Sequence, residues 1–144
     1  MAQKTSNIKS ILTPNQEKFL KMVSESESLT KKFYLTGGAA LSEFYLHHRD
    51  SEDIDLFSEE EFNLAPIQSF VKKAEKEMKA GGVEFREFLG LKTFFLKFKS
   101  GATLKIDFNY YPFPRIEKGA QFGKLEVDSI FDIAVNKIHT RPTA

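Results

Sequence analysis

The chain contains no cysteine and no tryptophan. Without cysteine it has no disulfide framework, no thiolate metal site and no cysteine nucleophile. That composition suits a reducing, cytoplasmic setting. No apolar run is long enough to span a bilayer, and no charged-then-apolar leader opens the sequence, so neither membrane insertion nor secretion is indicated. Charge of one sign is also missing: 21 Lys and Arg against 20 Asp and Glu leave a formal net charge of +1. The molecule as a whole therefore does not attract nucleic acid, and any RNA or DNA contact has to come from a local patch. Repeats and low-complexity stretches are absent. Phenylalanine is abundant, with 15 among 144 residues, and supplies much of the core volume. An apolar fraction of 41% and a charged fraction of 28% are ordinary for a soluble protein. The length suits one domain over residues 1–144, with 1–12 as a loose polar arm.

One stretch organises the rest, from Phe33 to Phe57. Phe33 to Thr36 is a short aromatic and β-branched strand. Gly37-Gly38 follows as a turn, and Ala40, Leu41, Phe44 and Tyr45 are spaced for the buried face of a helix. Asp53 to Phe57 is the next strand. Side chains alternate along a strand, so Asp53 and Asp55 share one face while Ile54 and Leu56 face the core. Two carboxylates side by side repel each other unless a cation lies between them, and hard divalent ions such as Mg²⁺ take oxygen ligands of this kind. Gly37-Gly38 lies between a strand and a helix start, where bare backbone N–H groups can face a phosphate. A phosphate cradle beside metal-binding carboxylates is a site for nucleotide chemistry.

The flanking segments read as a scaffold. Thr13-Pro14-Asn15-Gln16 opens a helix, with Thr as N-cap, Pro at the first position and Gln completing a capping box. A second amphipathic helix runs from about Leu64 to Lys79. Ile67, Phe70, Val71, Ala74 and Met78 form its apolar face, Pro66 lies near its start, and Gly81-Gly82 is its stop. Its lysines 72, 73, 76 and 79 read as a solvated face. Three strands follow, at roughly 83–89, 92–99 and 102–110. A tight loop at Ser100-Gly101-Ala102 pairs 98 with 104, 96 with 106 and 94 with 108. Phe94, Leu96, Phe98, Leu104, Ile106 and Phe108 then lie on one face. The other face carries Lys97, Lys99, Lys105, Asp107 and Asn109, with Lys97 opposite Lys105, which reads first as a solvent-facing pair and second as a seat for an anion. Residues 111–123 read as a loop and 124–127 as a short strand. Asp128 or Ser129 caps a last helix with Ile130, Phe131, Ala134, Val135 and Ile138 apolar. Asp107, alone on a polar strand face, is a third candidate carboxylate. His47-His48 are adjacent, the wrong spacing for two ligands on one helical face, and read as structural or surface residues.

Leu35-Thr-Gly-Gly-Ala-Ala-Leu41, followed by Arg49-Asp-Ser-Glu-Asp-Ile-Asp-Leu-Phe57, closely resembles the nucleotidyltransferases of the AbiEii/AbiGii toxin family. Asp107 within Leu104-Lys-Ile-Asp-Phe108 matches that family's later lone carboxylate, and Asp132-Ile-Ala-Val-Asn-Lys137 matches a softer helical motif. The resemblance covers roughly residues 33–141. It implies an α/β (α+β) nucleotidyltransferase fold, with a mixed, largely antiparallel sheet flanked by helices and built on the strand–Gly-Gly–helix–Asp-x-Asp unit. It also implies a metal-dependent nucleotidyltransferase in which Asp53, Asp55 and Asp107 hold two Mg²⁺ ions and the triphosphate of an NTP. Asp107 is then the general base for an attacking hydroxyl. Gly37, Gly38, Arg49, Ser51 and Lys137 would serve nucleotide and phosphate, although Arg49 also reads as a surface partner of Glu52, and Lys137 as a cation suiting a helix C-terminus. The acceptor would be RNA, tRNA first, or a protein hydroxyl. The setting would be a bacterial, cytoplasmic toxin–antitoxin or abortive-infection system with a cognate antitoxin. Family members continue into a further basic-acidic motif and a helical C-terminal region, so the chain ending at Ala144 reads as a truncated or minimal member. The competing reading is a nucleotidyltransferase-like module that binds nucleotide or a partner protein without turnover.

Overall fold

In the computed structural model, residues 12–37, 40, 53–129 and 131–134 are described. The expected arm over 1–11, the helix positions Leu41, Phe44 and Tyr45, the pair His47-His48, and Val135 and Ile138 of the last helix lie outside them. Helix α1 spans Pro14–Ser24, α2 Glu27–Thr30 and α3 Leu64–Glu77. The strands are β1 Phe33–Thr36, β2 Asp53–Ser58, β3 Gly82–Phe88, β4 Leu91–Lys97, β5 Thr103–Tyr110, β6 Gln121–Phe122 and β7 Leu125–Val127. They form one seven-stranded sheet in the order β3-β4-β5-β2-β1-β7-β6. Strand β2 is parallel to β5, and β1 is parallel to β7; the other four pairings are antiparallel. Among the described residues no helix is long and apolar enough to cross a membrane.

The period-two pattern divides the sheet into two unlike faces. Phe33, Leu35, Ile54, Leu56, Phe94, Leu96, Leu104, Ile106, Phe108, Leu125 and Val127 are buried on one of them. They form a single core with Phe19, Leu20 and Val23 of α1, Leu29 of α2 and Ile67, Val71 and Ala74 of α3. Phe33 and Phe94 both meet Phe108 edge-on, with ring centroids 5.2 and 5.8 Å apart, a favoured aromatic arrangement. The opposite face of the same strands carries Thr36, Asp53, Asp55, Thr93, Phe95, Lys97, Lys105, Asp107 and Asn109.

The first helix begins as expected. Thr13 Oγ1 accepts from Gln16 N–H at 3.1 Å, and Gln16 Oε1 accepts from Thr13 N–H at 2.9 Å, closing the capping box behind Pro14. The end of α3 differs. Gly81-Gly82 do not stop the helix: Met78 is its C-cap, and Lys79 takes the left-handed conformation with φ +57°. Ala80 N–H reaches Glu75 O at 2.9 Å and Lys79 N–H reaches Lys76 O at 3.2 Å, the paired bonds of a Schellman ending. Gly82 instead begins β3.

The β4–β5 hairpin keeps the expected faces but not the expected register. Leu96 pairs with Leu104, Phe94 with Ile106 and Thr93 with Asp107, two residues away from the pairing argued from the sequence. A wider loop between Lys97 and Thr103 sets this register, closed by Phe98 N–H to Ala102 O at 3.0 Å and Gly101 N–H to Phe98 O at 2.9 Å. Consequently Lys97 does not oppose Lys105. Lys97 lies opposite Thr103 and reaches Glu84 on β3 at 2.8 Å, while Lys105 lies opposite Phe95 and reaches Asp53 on β2 at 3.4 Å. The two lysines therefore form no opposed pair, with or without an anion between them; carboxylates of the flanking strands serve them instead.

Candidate active site

Strands β2 and β5 run parallel with Asp55 beside Asp107 and Asp53 beside Lys105. This pairing brings the sequence-predicted carboxylates to one place on the open face of the sheet. Asp107 is buried, while Asp53 and Asp55 are partly buried. Asp55 is pushed from its ordinary 3.8 up to about 7. Burial contributes most, followed by the charge of Asp107, a hydrogen bond between the two carboxyl groups, and the charge of Asp53; Lys105 pulls the other way. Burial works against the charge on Lys105, but Asp107 and Asp53 outweigh it and raise Lys105 above its usual range.

Two further contacts define the cluster. At the end of β1, Gly37 has φ +79°, and a Cβ there would fall on Asp55 Oδ2. Glycine is needed at this point both for the backbone angle and for the closeness of the carboxylate. On the other side, Thr93 Oγ1 donates to Asp107 Oδ1 at 2.5 Å. Thr93 was missed by the sequence reasoning, since a threonine in a strand carries no signal of its own and its partner depends on the hairpin register.

Gly38, Arg49, Ser51 and Lys137, the remaining sequence candidates for nucleotide and phosphate, lie outside the described residues. Asp132, from the softer helical motif, is buried and ties down a loop. It accepts from the N–H of Ile116 at 2.8 Å, the N–H of Glu117 at 2.8 Å and Ser129 Oγ at 3.0 Å. Ser129 Oγ in turn accepts from Asp132 N–H at 3.0 Å, which fixes Ser129 as the N-cap. A shallow depression of about 100 Å³ lies at the far end of β1 and β2, lined by Lys32, Tyr34, Glu59, Arg115 and Glu126 among others. There Arg115 pairs with Glu126 at 2.7 Å and lies 4.2 Å over the Tyr34 ring, away from the carboxylates.

The donor chemistry of the cluster fits a hard divalent cation: oxygen ligands only, three carboxylates on one face, and an Asp55 whose charge is disfavoured without one. Among the described residues no three acidic or histidine side chains stand ready as a ligand set. Asp53 is turned toward Lys105 and has to leave it to join the other two.

The fold is that of the nucleotidyltransferases. It superposes on JHP933 from Helicobacter pylori with a TM-score of 0.60 at 22% identity, covering 88% of this chain and 57% of that one. A second H. pylori protein, assigned to the nucleotidyltransferases, gives a TM-score of 0.57 at 23% identity, covering 86% of this chain and 56% of that one. The chain thus spans little more than half the length of these structural neighbours. No curated protein matches it. Residues 19–143 match the family described as nucleotidyl transferase AbiEii toxin, type IV toxin–antitoxin system, and the chain belongs to that family.

Proposed function

We propose that the chain carries the catalytic centre of a metal-dependent nucleotidyltransferase toxin, which moves a nucleotide from an NTP onto a hydroxyl of RNA, tRNA first, and releases pyrophosphate. The observation that carries this reading is the placement of Asp55 beside Asp107, with Asp53 one pleat away and Gly37 against Asp55. Three acids and a backbone turn of that kind on an otherwise mixed-charge face are costly to maintain without a ligand, because burial and the neighbouring carboxylates already work against the charge on Asp55. Magnesium ions held by Asp53, Asp55 and Asp107 would neutralise the triphosphate and acidify the attacking hydroxyl. Gly37 gives the phosphates close access to backbone. Asp107 accepts the proton of the attacking hydroxyl. Lys105 holds Asp53 in the absence of ions, and with Asp53 engaged by a cation its charge would be free for the phosphates. No covalent intermediate is needed; positioning and charge neutralisation supply the rate. A cognate antitoxin is the expected protein partner, since type IV toxin–antitoxin families pair the two.

A nucleotide-binding module without turnover is the second reading. The ion pair from Lys105 to Asp53 favours it, because it fills the place of one metal contact. Labelled NTP incubated with Mg²⁺ and bulk tRNA separates the two. The enzyme reading expects labelled RNA that disappears in Asp53→Ala and Asp107→Ala. Equal labelling in those variants would remove the carboxylates from the mechanism, and binding without labelling would establish the module.

A further inference from the structure

We propose that β3 is a dimerisation edge and that its occupant is β3 of a second copy of this chain, paired antiparallel about a two-fold axis at Phe85. This surface stands apart from the carboxylate site. Strand β3 is outermost in the sheet, with β4 on one side and, among the described residues, no strand on the other. It is seven residues long, whereas β6 at the opposite edge has two. A long open edge carries unpaired N–H and C=O groups that another strand can use. The tip of this edge is also apolar: Phe88 is 70% and Leu89 88% exposed.

The β3–β4 hairpin fixes which groups face outward. Leu89 and Gly90, with φ +51° and +85°, form a two-residue turn between the paired residues Phe88 and Leu91. Residues flanking such a turn bond to each other, and the bonding direction alternates along the strand. Glu84, Arg86 and Phe88 therefore bond toward β4, while Val83, Phe85 and Glu87 turn their N–H and C=O outward. The possible two-fold axes are then few, and charge selects among them. An axis at Glu84, Arg86 or Glu87 sets that residue against itself, a like-charge pair that opposes association. An axis at Val83 sets Glu84 against Gly82 and leaves Arg86 unmatched. The axis at Phe85 sets Glu84 against Arg86 of the second copy, and symmetry repeats the pair.

The rest of the strand fits the same register. Phe88 falls opposite Gly82 of the second copy, and Leu89 comes beside its Gly81. A Cβ at Gly82 would meet nothing within 4 Å, and one at Gly81 only Lys97 O at 3.6 Å. The two glycines thus leave room for the exposed tip. An aromatic ring laid over a strand glycine supplies packing that the glycine lacks. On the helix-bearing face Phe85 packs on Phe94, with ring centroids 4.8 Å apart, and meets its own copy at the axis. Arg86 and Glu84 are already 2.7 Å apart along their own strand, and Lys97 reaches Glu84 at 2.8 Å. The axis brings a second such set alongside, with opposite charges facing. A second copy fits better than an unrelated strand because all of these matches are between β3 and itself.

The test is sedimentation velocity of the full chain from about 1 μM to about 500 μM, a range that spans the affinities of a small interface. It is run on the wild type, Glu87→Pro, Glu84→Arg and Arg86→Glu, with thermal unfolding by circular dichroism to check that each is folded. The wild type is expected to dimerise reversibly. Glu87→Pro removes an outward N–H that β4 does not use, and is expected to abolish the dimer. Glu84→Arg and Arg86→Glu each set like charges across the axis, and each is expected to weaken the dimer about tenfold. An equimolar mixture of those two variants restores opposite charges and is expected to recover dimers of wild-type affinity. That recovery needs both variants folded, so the result stands even if Glu87→Pro does not fold. A wild type that stays monomeric over the whole range overturns the proposal. So does a dimer of undiminished affinity in the charge variants, or a mixture of folded variants that fails to recover.

Discussion

Asp55 shows how a single side chain registers the cost of this site. Its carboxyl is ordinarily half-protonated at 3.8, and in the fold at about 7. The folded state therefore binds this proton more tightly than the unfolded chain does. The stabilisation this proton gives is fully present below about pH 4, falls as pH rises from about 4 to about 7, and is gone above that. In metal-free buffer, denaturant unfolding should show a decline in stability over that interval. Asp55→Asn should flatten the decline and raise stability at pH 8 by on the order of 1 kcal/mol; an unchanged pH profile in the variant would show that Asp55 is not the group that titrates there. Gly37 makes the complementary point. Gly37→Ala adds a methyl where Asp55 Oδ2 lies and forces a side chain into φ +79°. It should cost about 1–3 kcal/mol in thermal or chemical unfolding, and nucleotide-dependent stabilisation should be lost with it. The strand alternation alone indicates that Asp53 and Asp55 share a face. The meeting of Asp55 with Asp107 is not legible in the same way, because it comes from a parallel pairing between segments some fifty residues apart, which no local period records.

The elements differ in how far their sequences announce them. Helix α1 is legible to the residue, since Thr13, Pro14 and Gln16 each solve a stated problem at a helix start. Helix α3 is legible on its apolar face but not at its end. The Gly81-Gly82 pair looks like a stop, yet Lys79 adopts the left-handed turn two residues earlier, at a cost that glycine would not incur. Lys79→Gly should thus stabilise the fold by about 0.5–1 kcal/mol in chemical denaturation, and a destabilised variant would show that the lysine stem packs usefully there. The β4–β5 hairpin has the same character. A slip of two residues leaves every side chain on its own face, so alternation cannot detect it; loop length decides it. The difference matters because it brings Thr93, rather than Phe95, opposite Asp107. Asp132 belongs at this scale too. Its carboxylate receives two backbone N–H groups of the loop before β6 as well as Ser129 Oγ. Asp132→Ala should cost about 2–3 kcal/mol, the worth of a buried charged acceptor with several donors, measured as a shift in the denaturation midpoint with an unchanged slope.

At the scale of the whole molecule, a mixed sheet carries α1, α2 and α3 on one face and Asp53, Asp55 and Asp107 on the other. On the carboxylate face Lys105 pairs with Asp53, while Lys97 and Arg86 pair with Glu84 on β3. The chain belongs to the AbiEii nucleotidyltransferase toxin family, and the parallel pairing of β2 with β5 accounts for how its carboxylates meet. The central claim is that this face binds a metal–nucleotide complex, and thermal unfolding with and without Mg²⁺ and each NTP tests it most directly. At a hundredfold excess over its dissociation constant a ligand of the folded state adds about 2.7 kcal/mol, or on the order of 5–10 °C for a chain of this size. The account predicts a rise that needs both Mg²⁺ and one particular NTP and is lost in Asp53→Ala. A rise that persists in Asp53→Ala, or no rise with any NTP, would contradict it.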